Sequence, residues 1–217
     1  MSASFDISRN TPPRGLSRFV LPAVALAVLA AAALDTRVVR IGSQQDARTE
    51  AFAADAYGKK TFATLQAAIE AAAVDAPVLA AAIAEDKAAA GEKFGKPGSV
   101  GPIFPVKFSG VAGELRSGLV TVAVPGLPEG LQVRVQTGPA INGTDVRDAT
   151  GTVSFGQFTN QIEYQDAGAA LNNEVKTQVL AGIAQDKLSG RPVEIVGVFQ
   201  LINPTGWLVT PVRMAVQ

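Results

Sequence analysis

Residues 103–136 read IFPVKFSGVAGELRSGLVTVAVPGLPEGLQVRVQ. Phe104, Val106 and Phe108 alternate with Lys107 and Ser109, a period of two that marks a strand with one buried face. Segments 119–124 (LVTVAV) and 131–136 (LQVRVQ) repeat the pattern, joined by the turn PGLPEG at 125–130. Further along, 152–158 is expected as a short additional strand. Segment 166–183 carries Leu171, Val175 and Val179 at i, i+4 and i+8, one face of a helix whose start Asp166 is placed to cap. Segment 193–202 is apolar and rich in β-branched residues, NPTG (203–206) is a turn, and 207–216 is the last strand. Three strands, a minor strand, a helix and two strands is the order of a small OB-like antiparallel β-barrel with one plugging helix inserted, here over 100–217.

On the N-terminal side of this region, 91–102 (GEKFGKPGSVGP) is a loop by its glycine and proline density. Gly95, Gly98 and Gly101 fit no phosphate-binding fingerprint, because a strand rather than a helix follows them. Residues 50–90 are Ala-rich and helix-favouring. Phe62, Leu65 and Ile69 share one face. Asp75 and Pro77 start a second helix that runs to about Ala90 and stops at Gly91. A helical hairpin over 50–95 is the expectation, preceded by a linker over 35–49. The fold class is α+β.

Residues 1–18 are polar, with Arg9, Arg14 and Arg18. Residues 19–34 (FVLPAVALAVLAAAAL) are sixteen in a row without a charge. Cations, an apolar run and small residues form an export segment over 1–34, with Ala31-Ala32-Ala33 offering a cleavage site. The same segment left uncut is a membrane anchor, with the arginines holding the N-terminus inside and the body outside. A spanning helix needs roughly 17–25 apolar residues, so sixteen requires the flanking arginines to snorkel. The expected location is the periplasmic face of a bacterial inner membrane, or the periplasm if the segment is cleaved.

Composition narrows the chemistry. The 217 residues hold 19 basic and 19 acidic side chains, no His and no Cys. Disulfides, thiol catalysis, Ser-His-Asp triads and His- or Cys-ligated metals are therefore absent. Beyond the export segment the charge is slightly acidic, and aromatics are 6% of the chain. Nucleic-acid binding calls for a cationic surface, so no nucleic-acid partner is expected.

Four stretches carry a resemblance: VRVQTGPAINGTDVRDATGTVSFGQFTNQIEYQDAGAALNNEV (133–175), VFQLINPTGWLVTPVRM (198–214), GPIFPVKFSG (101–110) and AFAADAYGKK (51–60). Over about 30–217 the chain resembles the bacterial family of predicted periplasmic lipoproteins called domain of unknown function 2291. The resemblance implies a cell-envelope location and genes that commonly sit beside those of sugar ABC transporters. It implies no established activity, no catalytic residues and no cofactor. The chain departs from the lipoprotein pattern in lacking a Cys after the apolar run, where AAAALDT stands instead.

Two polar stretches are candidate ligand or partner sites. The loop 137–150 offers Asn142, Thr144, Asp145, Arg147 and Asp148, the mixture of donors and acceptors that a small sugar's hydroxyls need. Arg147 stands between two aspartates that can fix it by charge-assisted hydrogen bonds. The competing reading makes Asn142-Gly143 a turn and the aspartates and arginine structural. The second stretch offers Gln157, Asn160, Gln161 and Glu163, amide-rich as carbohydrate sites are, and equally typical of an exposed loop before a helix. Asp145, Asp148, Glu163 and Asp166 also supply oxygens for a calcium site, though at no recognised spacing, so no metal is assigned. Trp207, the one Trp, is expected in the core with its N–H bonded locally.

The expected function is that of a non-catalytic, membrane-tethered periplasmic protein. Its partners are the inner membrane through the N-terminal helix, sugar ABC-transporter components or a small sugar. The alternative is an envelope carbohydrate-active enzyme using paired carboxylates.

Overall fold

The computed structural model describes residues 17–36 and 52–217, which belong to two units, Met1–Ala51 and Phe52–Gln217. The first unit contains helix α1 (Ser17–Asp35). Among the described residues, no helix is long and apolar enough to cross a membrane. The anchor expectation is therefore not supported. Sixteen uncharged residues rise about 24 Å, short of a hydrocarbon core of about 30 Å. Arg9 and Arg14, and the linker from residue 37 on, lie outside the described residues.

The second unit begins with α2 (Ala54–Ala72), then β1 (Val74–Asp75), α3 (Ala76–Glu85) and α4 (Lys87–Phe94). Strands β2 (Ile103–Arg116), β3 (Leu119–Ala123) and β4 (Gln132–Gln136) follow. After them come the short helix α5 (Asp145–Asp148), helix α6 (Gln161–Glu174), strand β5 (Pro192–Gln200) and strand β6 (Gly206–Val216). The strands form one six-stranded sheet in the order β1-β2-β3-β4-β6-β5, with β2 also pairing β5. The first nine residues of β2 pair β5, from Ile103 opposite Gln200 to Val111 opposite Pro192, and its far end pairs β3. Strands β2, β3, β4, β6 and β5 thus close a ring of pairings. The expected all-antiparallel arrangement is corrected in two places: β4 runs parallel to β6, and β1 parallel to β2. β6 lies between β4 and β5 and is antiparallel to β5.

Alternation sorts the strand residues into two apolar clusters. Phe104, Val106, Phe108, Val120, Val122, Val133, Val135, Phe199, Trp207 and Val209 form the first, joined by Leu79, Ala80 and Ile83 of α3. Ile103, Val196, Val198 and Val212, on the opposite face, meet Phe62, Leu65 and Ile69 of α2 and Leu171 beyond α6's midpoint. The expected plug is therefore a different helix. α3 fills the first cluster, and α6 lies in the second beside α2. Gly58 makes that pairing close, since a Cβ there would stand 3.1 Å from Ala170.

This arrangement also corrects the hairpin. The apolar faces of α2 and α3 serve different clusters instead of each other. The second helix is two. It stops at Glu85, and Asp86 caps α4 by accepting from the Ala88 and Ala89 N–H groups at 2.8 and 3.0 Å. α4 runs through Gly91 and stops at Gly95. Asp75 precedes α3 but makes no capping bond; β1 pairing sets it 3.8 Å from Lys107 instead. α6 starts five residues earlier than expected. Asn160, not Asp166, caps it, accepting from Glu163 N–H at 3.0 Å. Past Glu174 the helix widens into a π-helical stretch, Val175–Leu180. The strand expected at 152–158 is a loop with a 3₁₀ turn, Phe155–Gln157. Its apolar residues Val153 and Phe158 pack in the second cluster, and Gln157 Nε2 donates to the Thr152 carbonyl at 3.0 Å.

Candidate functional site

The loop after β4 is pinned from below. Gln136, buried, accepts from Asn142 N–H at 2.9 Å and donates to the Asn142 carbonyl at 3.0 Å and to Thr210 Oγ1 at 2.8 Å. Asn172 of α6 donates to the Gly143 carbonyl at 2.8 Å. The loop then turns into α5, which presents Arg147 and Asp148 toward α6.

There a compact polar network forms. Asp148 receives Arg147 Nε at 2.7 Å and Nη2 at 2.9 Å, a two-pronged ion pair between sequence neighbours. It also receives Thr144 Oγ1 at 2.7 Å and the Tyr164 hydroxyl at 3.2 Å. Arg147 Nη1 donates to the Tyr164 carbonyl at 2.9 Å, and the guanidinium lies over the Tyr164 ring, 3.5 Å from its centroid. The arginine is 6% exposed. Tyr164 belongs in turn to a chain of aromatic contacts with Phe155 and Phe158, which reaches Tyr57 and Phe52 at centroid spacings of 5.4–5.7 Å. Burial first, and then the Asp148 charge, raises the Tyr164 hydroxyl above the ordinary tyrosine range.

Asp145 stands apart from the ion pair. Its carboxyl is pushed up from 3.8 to about 6, chiefly by burial; the Gln200 backbone N–H opposes the rise and the Asp148 charge adds to it.

The predicted residues therefore divide. Thr144, Arg147 and Asp148 come together, with Asp145 beside them. Asn142 is exposed at the loop surface and held by its backbone. Gln157, Asn160 and Glu163 are engaged locally: Gln157 on Thr152, Asn160 as the α6 cap, and Glu163 accepting Thr159 N–H at 2.9 Å. Gln161 is exposed on the first turn of α6. Asp145, Asp148, Glu163 and Asp166 do not converge, and no group of three or more acidic residues is placed to hold a metal ion among the described residues. Trp207 is 1% exposed and stacks on Phe199 at 4.5 Å and 19°. Contrary to expectation its indole N–H finds no partner among the described residues. Residues that sequence reasoning missed are Gln136, Asn172, Tyr57 and Tyr164. The signal for the last two was rarity, since they are the only tyrosines in the chain.

The concavities lie elsewhere in the second unit. The largest described, about 770 Å³, follows α4 and the glycine loop to Pro102. That loop is glycine-rich because it lies against backbone: a Cβ on Gly101 would stand 2.4 Å from the Leu201 carbonyl oxygen. A second cleft, about 440 Å³, opens between the ends of α2 and α4 and the turn after α5.

A family model described as "Predicted periplasmic lipoprotein (DUF2291)" matches residues 23–215. The chain belongs to this family. Among solved structures it is similar to an OB-fold protein from Thermotoga maritima MSB8, at 20% identity and a TM-score of 0.62, over 77% of this chain and 100% of that one. At that identity the likeness concerns the fold alone, and it agrees with the β2-β3-β4-β6-β5 ring. No curated protein matches. The DUF2291 description names a place in the cell and no reaction.

Proposed function

We propose that this DUF2291 protein is a non-catalytic binding component of the periplasm, an accessory to small-ligand uptake across the envelope. The observation that carries the reading is the state of the polar cluster that α5 and α6 assemble. Asp148 accepts from four donor atoms and Arg147 is stacked and buried, so both are spent on holding α5 against α6. A general acid–base pair needs two carboxyls free to meet a substrate. Asp148 is not free. The apolar N-terminal run is best read as the export address. The association with sugar uptake rests on the family resemblance.

The enzyme alternative has one observation in its favour: Asp145, with its carboxyl near 6, has the proton affinity of a general acid. Asp145 lines none of the described clefts. A thermal-shift screen of the full-length protein over pentoses, hexoses and polyols tests the binding reading, because a ligand held only by the native state raises the melting temperature. One or more of them is expected to do so. Silence across the whole series, or turnover of a glycoside abolished by Asp145→Asn, would reject it.

A further inference from the structure

The cleft between α2 and α4 brings together side chains of both helices with Ala149, Thr150 and Thr152 at the end of the first polar loop. Its floor is apolar: Ile69 is fully buried and Ala149 is 2% exposed. Its rim carries Glu92, Lys93 and Lys96 on one side and Thr150 and Thr152 on the other. The donors are preset. Lys96 is fixed by a two-way backbone pair with Ile103, at 2.9 and 2.8 Å. Its aliphatic stem runs beside Gly151, where a Cβ would lie 3.7 Å from Lys96 Cδ. Gly151 has φ +69°, which lets the Thr150–Thr152 turn close tightly enough for the two hydroxyls to share a hydrogen bond of 2.7 Å. Thr150 Oγ1 also accepts from Thr152 N–H at 3.3 Å, and one hydroxyl proton of the pair remains for a third partner. Lys93 sits over the Phe94 ring, 4.9 Å from its centroid.

Charge decides what class of molecule fits. Two ammonium groups face one carboxylate, an excess of one positive charge. The last turns of α2 and α4 also end here, each with about half a negative charge on carbonyls that lack intrahelical partners. The sum is close to zero, so the cleft favours neither an anion nor a cation. It presents ammonium donors, carbonyl acceptors and hydroxyls that do both, above a greasy floor. About 440 Å³ falls within the range of small-ligand pockets, roughly 300–1,000 Å³.

We infer that this cleft binds a neutral polyhydroxylated molecule of about monosaccharide size, gripped by Lys96 and the Thr150–Thr152 hydroxyl pair. This rests on the small-ligand reading above and places its site at the far end of the first polar loop, away from Asn142 and the Arg147–Asp148 pair.

The test is calorimetric titration of the full-length protein with D-xylose, D-glucose and myo-inositol, and with D-gluconate and inorganic phosphate as anions. Lys96→Ala and Thr152→Val are compared with Asn142→Ala. Lys96 and Thr152 are exposed, so their unliganded melting temperatures should match wild type. Binding of a neutral polyol is expected, weakened about tenfold or more by each cleft substitution and unchanged by Asn142→Ala. If the polyol binds and both cleft variants hold it within twofold, the site is wrong while the binding reading survives. If no neutral polyol binds wild type, or an anion binds more tightly, the inference is overturned; complete silence removes the parent reading as well.

Discussion

Arg147 and Asp148 are neighbours in the chain, yet their contact carries tertiary weight because each also holds Tyr164. Removing one partner of a largely buried pair strands the other charge, at a typical cost of about 3–5 kcal/mol. Arg147→Ala should therefore lower the unfolding free energy by about 3 kcal/mol in urea titration. Arg147→Lys should rescue little, because an ammonium cannot reproduce the fork and the stack. Tyr164→Phe keeps the stack and should cost only about 1 kcal/mol. Similar losses in Arg147→Ala and Arg147→Lys with a smaller loss in Tyr164→Phe would be consistent with this network; a neutral Arg147→Ala would refute it. Asp145 makes a prediction of opposite sign to most carboxylates. Its folded value, about 6, lies above its unfolded value near 3.8. The folded state then binds the extra proton between these values, so the stabilisation is complete below about pH 4 and is lost as pH rises through 6. The swing is roughly 3 kcal/mol at most. Asp145→Asn, which keeps an acceptor for the Gln200 N–H, should flatten that slope and equal or exceed wild type at pH 7.5. An unchanged slope in denaturation at pH 4.5 and 7.5 would show that another group carries it. In the sequence, the D-V-R-D run already marked Arg147 as clamped. Which aspartate clamps it was not legible, because that depends on α5 turning one carboxylate toward α6 and the other toward β5.

Helix starts show the same limit one scale up. Both Asn160 and Asp166 are good caps by residue type, and the period of Leu171, Val175 and Val179 fixes a helical face without fixing where the helix begins. The structure chooses Asn160 because the polar turn QIEY that follows is still helical, with Tyr164 drawn in by the Arg147 stack. Asn160→Ala should cost about 1 kcal/mol, whereas Asp166→Ala, in mid-helix and exposed, should stay within about 0.5 kcal/mol. The reverse ranking in thermal melts would restore the later start. The strands were legible to within a residue or two at most ends, since alternation is a strong signal. The segment 152–158 shared that signal but had no pairing partner left. Its glutamine and serine form local turns instead.

For the whole molecule, the chain order of the five main strands was readable from the sequence; β1, the parallel pairing of β4 with β6 and the assignment of helices to surfaces were not. α3 and α6 both have a narrow apolar face, and periodicity says that a face is buried without saying against what. The distinction is testable. Leu79 is fully buried in the first cluster while its neighbour Val78 is 55% exposed. Leu79→Ala should cost about 2–5 kcal/mol and Val78→Ala almost nothing. Comparable small effects from both would mean that α3 does not fill that cluster.

The pairing of β2 with β5 has a temporal side. Ile103 meets Gln200 and Val111 meets Pro192, so the longest ladder of the molecule joins segments that leave a ribosome or an export channel far apart in time. Such distant partners pay loop-closure entropy before any contact rewards them, and they slow folding. Until the last strands have emerged, β2 and β4 each expose an open hydrogen-bonding edge of the kind that recruits other chains. A copy truncated before Pro192 should therefore aggregate instead of persisting as a smaller folded protein.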